Sequence, residues 1–274
     1  MTIRTILCPI DASEPSRHAY AYAYGVSQQY RARLIPVHVG AAVLETVPPS
    51  GDGAFEMPPQ TKMLDAASPA EAILAAAESE AADLIVMGTH GHRGFRHLIL
   101  GSVAETVLHR ARTPVLTVSP HTKPATGAPF TRLLAAVDFS ASSLAALDCA
   151  CALTLDAEAR LDILHIVDEP DEQALFAPRP YDIHRHPEIY ERHVLEHLHQ
   201  VLPTSVRARL VHYVHIERGR PEDRIQQFAT EHGVDLIVMG VGRGDDPTFG
   251  STVNHIVRHA GCPVLTVRRA EVRT

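Results

Sequence analysis

Apolar residues along this chain gather in short Val/Ile/Leu runs without polar alternation, separated by Ala-rich stretches whose apolar positions recur every three or four residues. Runs of that kind fit strands buried on both faces, and the spaced stretches fit amphipathic helices, so the pattern predicts parallel strands covered by helices on both sides. In the first half the strands fall near 4–10, 33–39, 61–66, 83–88 and 114–118, and the helices near 14–30, 69–81 and 102–112. Ser68-Pro69-Ala70-Glu71 and Ser102-Val103-Ala104-Glu105 both have capping-box spacing, which gives two of those helix starts a local cause.

The pattern occurs twice. Asp-Leu-Ile-Val-Met-Gly stands at Asp83–Gly88 and again at Asp235–Gly240, and Pro-Val-Leu-Thr-Val at Pro114–Val118 and Pro263–Val267. Ile10-Asp11-Ala12-Ser13 answers Val137-Asp138-Phe139-Ser140, and Val37-His38-Val39 answers Leu164-His165-Ile166, both at an offset of 127 that grows to 152 by Pro69/Pro221. The 25 extra residues of the second copy predict an additional helix near 187–202, where Ile189, Val194, Leu195, Leu198, Val201 and Leu202 recur at helical spacing; the first copy has a Pro/Gly-containing crossover there, Val47–Pro59. Pro120–Pro129 reads as the linker, giving domains at 1–120 and 130–270. The fold expected is α/β, two tandem open parallel five-stranded sheets with helices on both faces, the first copy lacking one helix.

Composition narrows the partners. A net charge of −7 argues against a general nucleic-acid binder, which relies on Lys and Arg to neutralise phosphates. The opening apolar stretch Ile6–Ile10 is too short for a signal-peptide core and no long uncharged apolar run follows, so a cytoplasmic protein with no membrane partner is expected. Cys8, Cys149, Cys151 and Cys262 lack paired spacing and read as reduced, buried thiols. The 18 His residues outnumber the net negative charge, so mild acidification reverses its sign and pH-linked behaviour is expected. His193 and His197 stand i,i+4 with His186 and Glu196 near, but without a second ligand pair they read as a solvated helix flank and no metal site is assigned.

The candidate chemistry lies in the loop Gly88-Thr89-His90-Gly91-His92-Arg93-Gly94-Phe95-Arg96-His97-Leu98-Ile99-Leu100-Gly101-Ser102, which leaves a strand and enters a helix. Gly88 and Gly91 allow backbone amides close to a phosphate, Gly101 and Ser102 offer amides at the positive end of a helix, and His90, His92, Arg93, Arg96 and His97 add donors. Asp11 ends the first strand. If strand order reverses between the first and fourth strands, Asp11 and Gly88 flank one crevice. Taken singly, Asp11 is explained by a helix cap and Ser102 by its capping box; the glycines at matching distance are what those accounts omit. Neither a Walker loop nor a dinucleotide fingerprint occurs.

The complete G-x2-G-x9-G-S spacing, the early Asp after the first strand and the final Pro-Val-x-Val strand resemble the universal stress protein family in its tandem, two-domain form, over nearly the whole chain. The resemblance implies an adenine nucleotide alpha hydrolase-like fold and an ATP site in the first copy. It implies Pro9, Ile10 and Asp11 around adenine and ribose, Val39 and Met87 along the base, and Gly88, Gly91, His92, Gly101, Ser102 and Val103 at ribose or phosphates, with Mg2+ carried by the phosphates. It also implies antiparallel pairing of the last strands, here an intrachain pseudo-dimer that can dimerise again, and output through an unidentified protein partner. In the second copy the loop from Gly240 to Ser251 is three residues shorter, Arg243 replaces the second glycine, and Asp245 and Asp246 disfavour an anion. No catalytic residues are assigned. Two alternatives stand beside the regulatory reading: slow ATP hydrolysis or nucleotidyl transfer in the same crevice, and a ligand-free scaffold.

Overall fold

The computed structural model describes residues 2–11, 13–40, 61–89, 100–123, 130–167, 187–202, 212–242 and 250–269. The first copy runs β1 (Thr5–Pro9), α1 (Glu14–Tyr30), β2 (Arg33–Val39), β3 (Lys62–Leu64), α2 (Pro69–Ser79), β4 (Leu84–Gly88), α3 (Ser102–Arg110) and β5 (Val115–Val118). The second runs β6 (Arg132–Ala136), α4 (Ala141–Ala157), β7 (Arg160–Val167), α5 (Pro187–Val201), β8 (His212–Arg218), α6 (Pro221–Glu231), β9 (Leu236–Val241), α7 (Ser251–His259) and β10 (Val264–Arg268). The helix expected near 187–202 is α5. The contrast drawn with the first copy falls on residues 41–60, outside the described residues.

The ten strands form one sheet rather than two, in the order β3-β2-β1-β4-β5-β10-β9-β6-β7-β8. Within each copy the pairing is parallel, and the two halves meet where β5 and β10 run antiparallel, Thr117 opposite Val264 and Thr266 opposite Val115. The separate-sheet expectation is corrected by the pairing anticipated for the final strands: two largely apolar edges close on each other instead of facing water. The duplicated Pro-Val-Leu-Thr-Val segments add a symmetric detail. Thr117 Oγ1 donates to the Val264 carbonyl at 3.1 Å, and Thr266 Oγ1 to the Val115 carbonyl at 3.2 Å.

Two apolar layers cover the sheet. Tyr20, Ala23 and Val26 of α1, Leu147 and Leu153 of α4, and Val194 and Leu198 of α5 pack on one face; α2, α3, α6 and α7 cover the other through residues such as Ile73, Val107, Phe228 and Ile256. All four cysteines are free and buried, and burial pushes the thiols of Cys149, Cys151 and Cys262 up to about 12.

The helix starts divide on capping. The Ser68 hydroxyl accepts from the Glu71 amide at 3.5 Å, as its capping-box spacing predicts. Ser102 does not cap α3. The cap position is Gly101, whose carbonyl accepts the Glu105 amide, while the Ser102 carbonyl accepts the Thr106 hydroxyl. The helix begins one residue earlier than the box requires, so no side chain satisfies its first turn.

Candidate functional site at the first-copy switch point

Strand order reverses between β1 and β4, and each is followed by a turn at its carboxyl end. The β1 turn is fixed by α1's start. The Asp11 carboxylate accepts from the amide of Ser13 at 2.9 Å and from its hydroxyl, the Asp11 amide donates to Ser16 Oγ at 2.8 Å, and the Ser16 amide donates back to Ser13 Oγ. Asp11 therefore does serve a helix cap while standing half-buried at the crevice.

The β4 turn is tied to the start of α3. The Thr89 amide donates to the Val118 carbonyl at 3.1 Å, and the Gly101 amide to the Thr89 carbonyl at 2.8 Å, which brings both ends of the glycine loop together. Thr89 is fully buried and Leu100 is 2% exposed, so both loop ends are anchored. A Cβ on Gly88 would stand 2.9 Å from the Pro15 carbonyl oxygen in the first turn of α1. Gly88 thus has a packing reason for lacking a side chain, and the same contact shows that the β4 end and the start of α1 meet.

Met87, Val39 and Val103 pack on the sheet face that carries α2 and α3, beside the uncapped amino end of α3. Pro9 closes β1. Ile10 packs on the opposite face, with its amide given to the Val37 carbonyl and its own carbonyl taken by His38, so its side chain is not brought to this group. Gly91 and His92, with His90, Arg93, Arg96 and His97, lie outside the described residues. What is described could hold an anion: a helix of nine residues whose first-turn amides no side chain caps, beside a buried strand end.

The second copy repeats the frame. The Ser140 amide donates to Asp138 Oδ1 at 2.9 Å, and the Asp138 amide to Ser143 Oγ at 3.3 Å. Burial opposes ionisation of Asp138, but hydrogen bonds from Ser140 and Ser143 outweigh it and hold the carboxyl below its usual range. Ser142 Oγ donates to the Gly242 carbonyl at 2.6 Å, and the shortened loop, 243–249, lies outside the described residues.

Several structural residues were not singled out from sequence. His38 Nδ1 lies 2.8 Å from the Ile10 carbonyl and His165 Nδ1 2.8 Å from the Val137 carbonyl, fixing each β1-type turn to its neighbouring strand. Their signal was present in the repeated His of Val37-His38-Val39 and Leu164-His165-Ile166. Ser16 and Ser143 were legible in the same way, each three residues after a Ser. His193 and His197 are exposed, and the His197 ring stacks on Phe139 at 4.5 Å. His186 is outside the described residues, among which no group of three or more His, Cys, Asp or Glu side chains could hold a metal ion. None of the described helices is long and apolar enough to cross a membrane.

Comparison with known proteins supplies the lineage. The model of the universal stress protein family matches residues 54–119 and 129–268. A universal stress protein of Thermus aquaticus is 36% identical over 137 residues, 42% of this chain and 98% of its own length. One from Methanocaldococcus jannaschii is 31% identical over 140 residues, 42% of this chain and 81% of its length. Among solved structures, a universal stress protein from Archaeoglobus fulgidus aligns with a TM-score of 0.63 at 22% identity, covering 97% of both chains, which is a likeness of fold. With the family model matched in both halves and the same fold found across the full length, the chain belongs to the universal stress protein family, with two family domains in tandem.

Proposed function

We propose that the first copy binds an adenine nucleotide, ATP in the first instance, and that the protein acts as a nucleotide-responsive regulator through a partner or a change of conformation. One observation carries this reading: the start of α3 has no side-chain cap, while the Gly101 amide is held against Thr89 at the β4 end. Uncapped amides at the positive end of a helix are suited to phosphate oxygens, and the Ser102 hydroxyl, exposed at the same end, adds a donor.

In this reading Ser102 and Val103, with Gly91 and His92 of the loop, receive the phosphates, while Gly101, its amide held by the Thr89 carbonyl, sets the helix start beside them. Gly88 shapes the turn that feeds them. Val39, Met87 and Pro9 provide the apolar floor for the base, and Asp11 the acceptor for a ribose hydroxyl. Mg2+ would neutralise the phosphate chain and be carried by it.

Nucleotide released from gently purified protein tests the proposal. One ATP per chain supports it, two would extend it to the second copy, and none would replace it with a ligand-free scaffold. Gly101→Asp places a carboxylate at the helix start and is expected to abolish binding, whereas Arg220→Ala on the exposed start of α6 leaves it unchanged.

A further inference from the structure

The amino end of α3 faces the proposed nucleotide; its carboxyl end is held by the other copy. Arg268, the last residue of β10, donates from Nη2 to the His109 carbonyl at 2.6 Å, with the Leu108 carbonyl at 3.4 Å. Both carbonyls belong to the last turn of α3, where the helix itself supplies no donor. The position matching Arg268 in the first copy is Ser119, whose hydroxyl donates to the Ala260 carbonyl at the end of α7 at 2.9 Å. Each final strand therefore reaches over the central seam to the end of the other copy's last helix, but only one of the two reaches with a cation.

That cation is placed at a cost. Arg268 is partly buried, its Nε finds no hydrogen-bond partner among the described residues, and burial lowers the guanidinium from its usual range. No carboxylate is paired with it among the described residues; the negative pole of α3 is its counter-charge. Removing Arg268 exposes two carbonyls of a nine-residue helix, a length at which the whole element depends on its ends.

We propose that Arg268 is a positioning residue through which the second copy sets the anion site of the first, by holding α3 so that its first-turn amides converge beside Thr89. This inference rests on the nucleotide reading above. It extends that reading to a coupling between the halves, and such coupling acts equally in both directions. Nucleotide bound at Ser102 should therefore tighten β10.

Amide exchange measured by mass spectrometry on the full chain without nucleotide is the primary test. In R268A the helix-bonded amides of 105–110 are expected to exchange several-fold faster than in the wild type, and R268K, which restores a cation within reach of the carbonyls, to recover most of the protection. ATP is expected to bind R268A about fivefold more weakly, the lower end of typical coupling. In the wild type, ATP slows exchange at 264–268, and in R268A it does not. Cooperative melting of R268K guards against a folding defect in the Ala variant. Wild-type exchange at 105–110 in R268A would overturn the inference, and so would R268K behaving like R268A. A wild-type chain that takes up no ATP overturns the proposed function instead, so the two failures are separable.

Discussion

Gly240 and Ser142 approach so closely that a Cβ on the glycine would lie 2.5 Å from the serine's carbonyl oxygen, closer than the 2.9 Å that separates a Cβ on Gly88 from the Pro15 oxygen in the first copy. Both obstacles are backbone atoms of a helix's first turn, which cannot swing aside. Gly240→Ala is therefore expected to cost about 3 kcal/mol and Gly88→Ala about 1–2 kcal/mol, the range for forced overpacking. Denaturant unfolding of the two variants checks the order, and equal losses would refute it.

Asp162 has a side chain with 0% exposure, and it accepts from Arg132 Nε at 2.7 Å, Arg160 Nη2 at 3.0 Å and His215 Nε2 at 3.0 Å. Burial works against its charge, but those three donors prevail and hold the carboxyl below its usual range. A depressed folded pKa gives stabilisation that is complete above the unfolded value, about 3.9, and is lost as pH falls through the folded one. Asp162→Ala should cost about 3 kcal/mol at neutral pH by leaving two guanidinium groups without their acceptor. Its stability should also fall less steeply than the wild type's below about pH 4, which a series of urea titrations would show.

His165 is buried, and burial lowers its pKa against the pull of the Val137 carbonyl and Asp138. Because Nδ1 must donate to the Val137 carbonyl, the neutral ring presents Nε2 as an acceptor, and the Tyr190 hydroxyl at 2.8 Å donates to it. Here the stabilisation is full above the unfolded value of about 6.5 and drains away as pH falls through the folded one. Acidification from pH 7.5 to 5.5 is expected to loosen α5, seen as lower amide protection factors around Tyr190, each rate being divided by the intrinsic exchange rate at its own pH. A Tyr190→Phe chain lacks the donor and should show a smaller change.

Thr117 and Thr266 are the same residue of the repeated final strand, each donating across the seam. Thr117→Val and Thr266→Val keep the shape and remove a buried donor. Each is expected to cost about 1 kcal/mol with matching effects on the two variants, measured by thermal unfolding.

The sequence carried the larger features because they depend on local pattern. Unalternated apolar runs placed the strands to within a residue or two, and the two Asp-Leu-Ile-Val-Met-Gly segments located β4 and β9 before any pairing was known. Features made by pairing were hidden. Asp162 sits in the run Arg160-Leu161-Asp162-Ile163, where nothing nearby announces a fully buried charge; Arg132 and His215 come from two other strands, and only their register gathers them. The Ser102 capping box failed for a comparable reason, since Gly101 is drawn to Thr89 across a turn and starts the helix one residue sooner. At the candidate site, Asp11, Gly88 and Gly101 were legible from spacing. The place of Ile10 on the far face and the grip of Arg268 on α3 required the folded chain.

The seam between β5 and β10 has a consequence for how the halves change over time. Because both sides of it are one polypeptide, the pairing survives any dilution, unlike an interface between separate subunits whose occupancy follows protein concentration. Neither half ever meets another copy of itself there, so each is free to drift alone. The equivalent positions Glu80, which pairs with Arg33 and Lys62, and His232, whose carbonyl receives Arg132, already record that divergence.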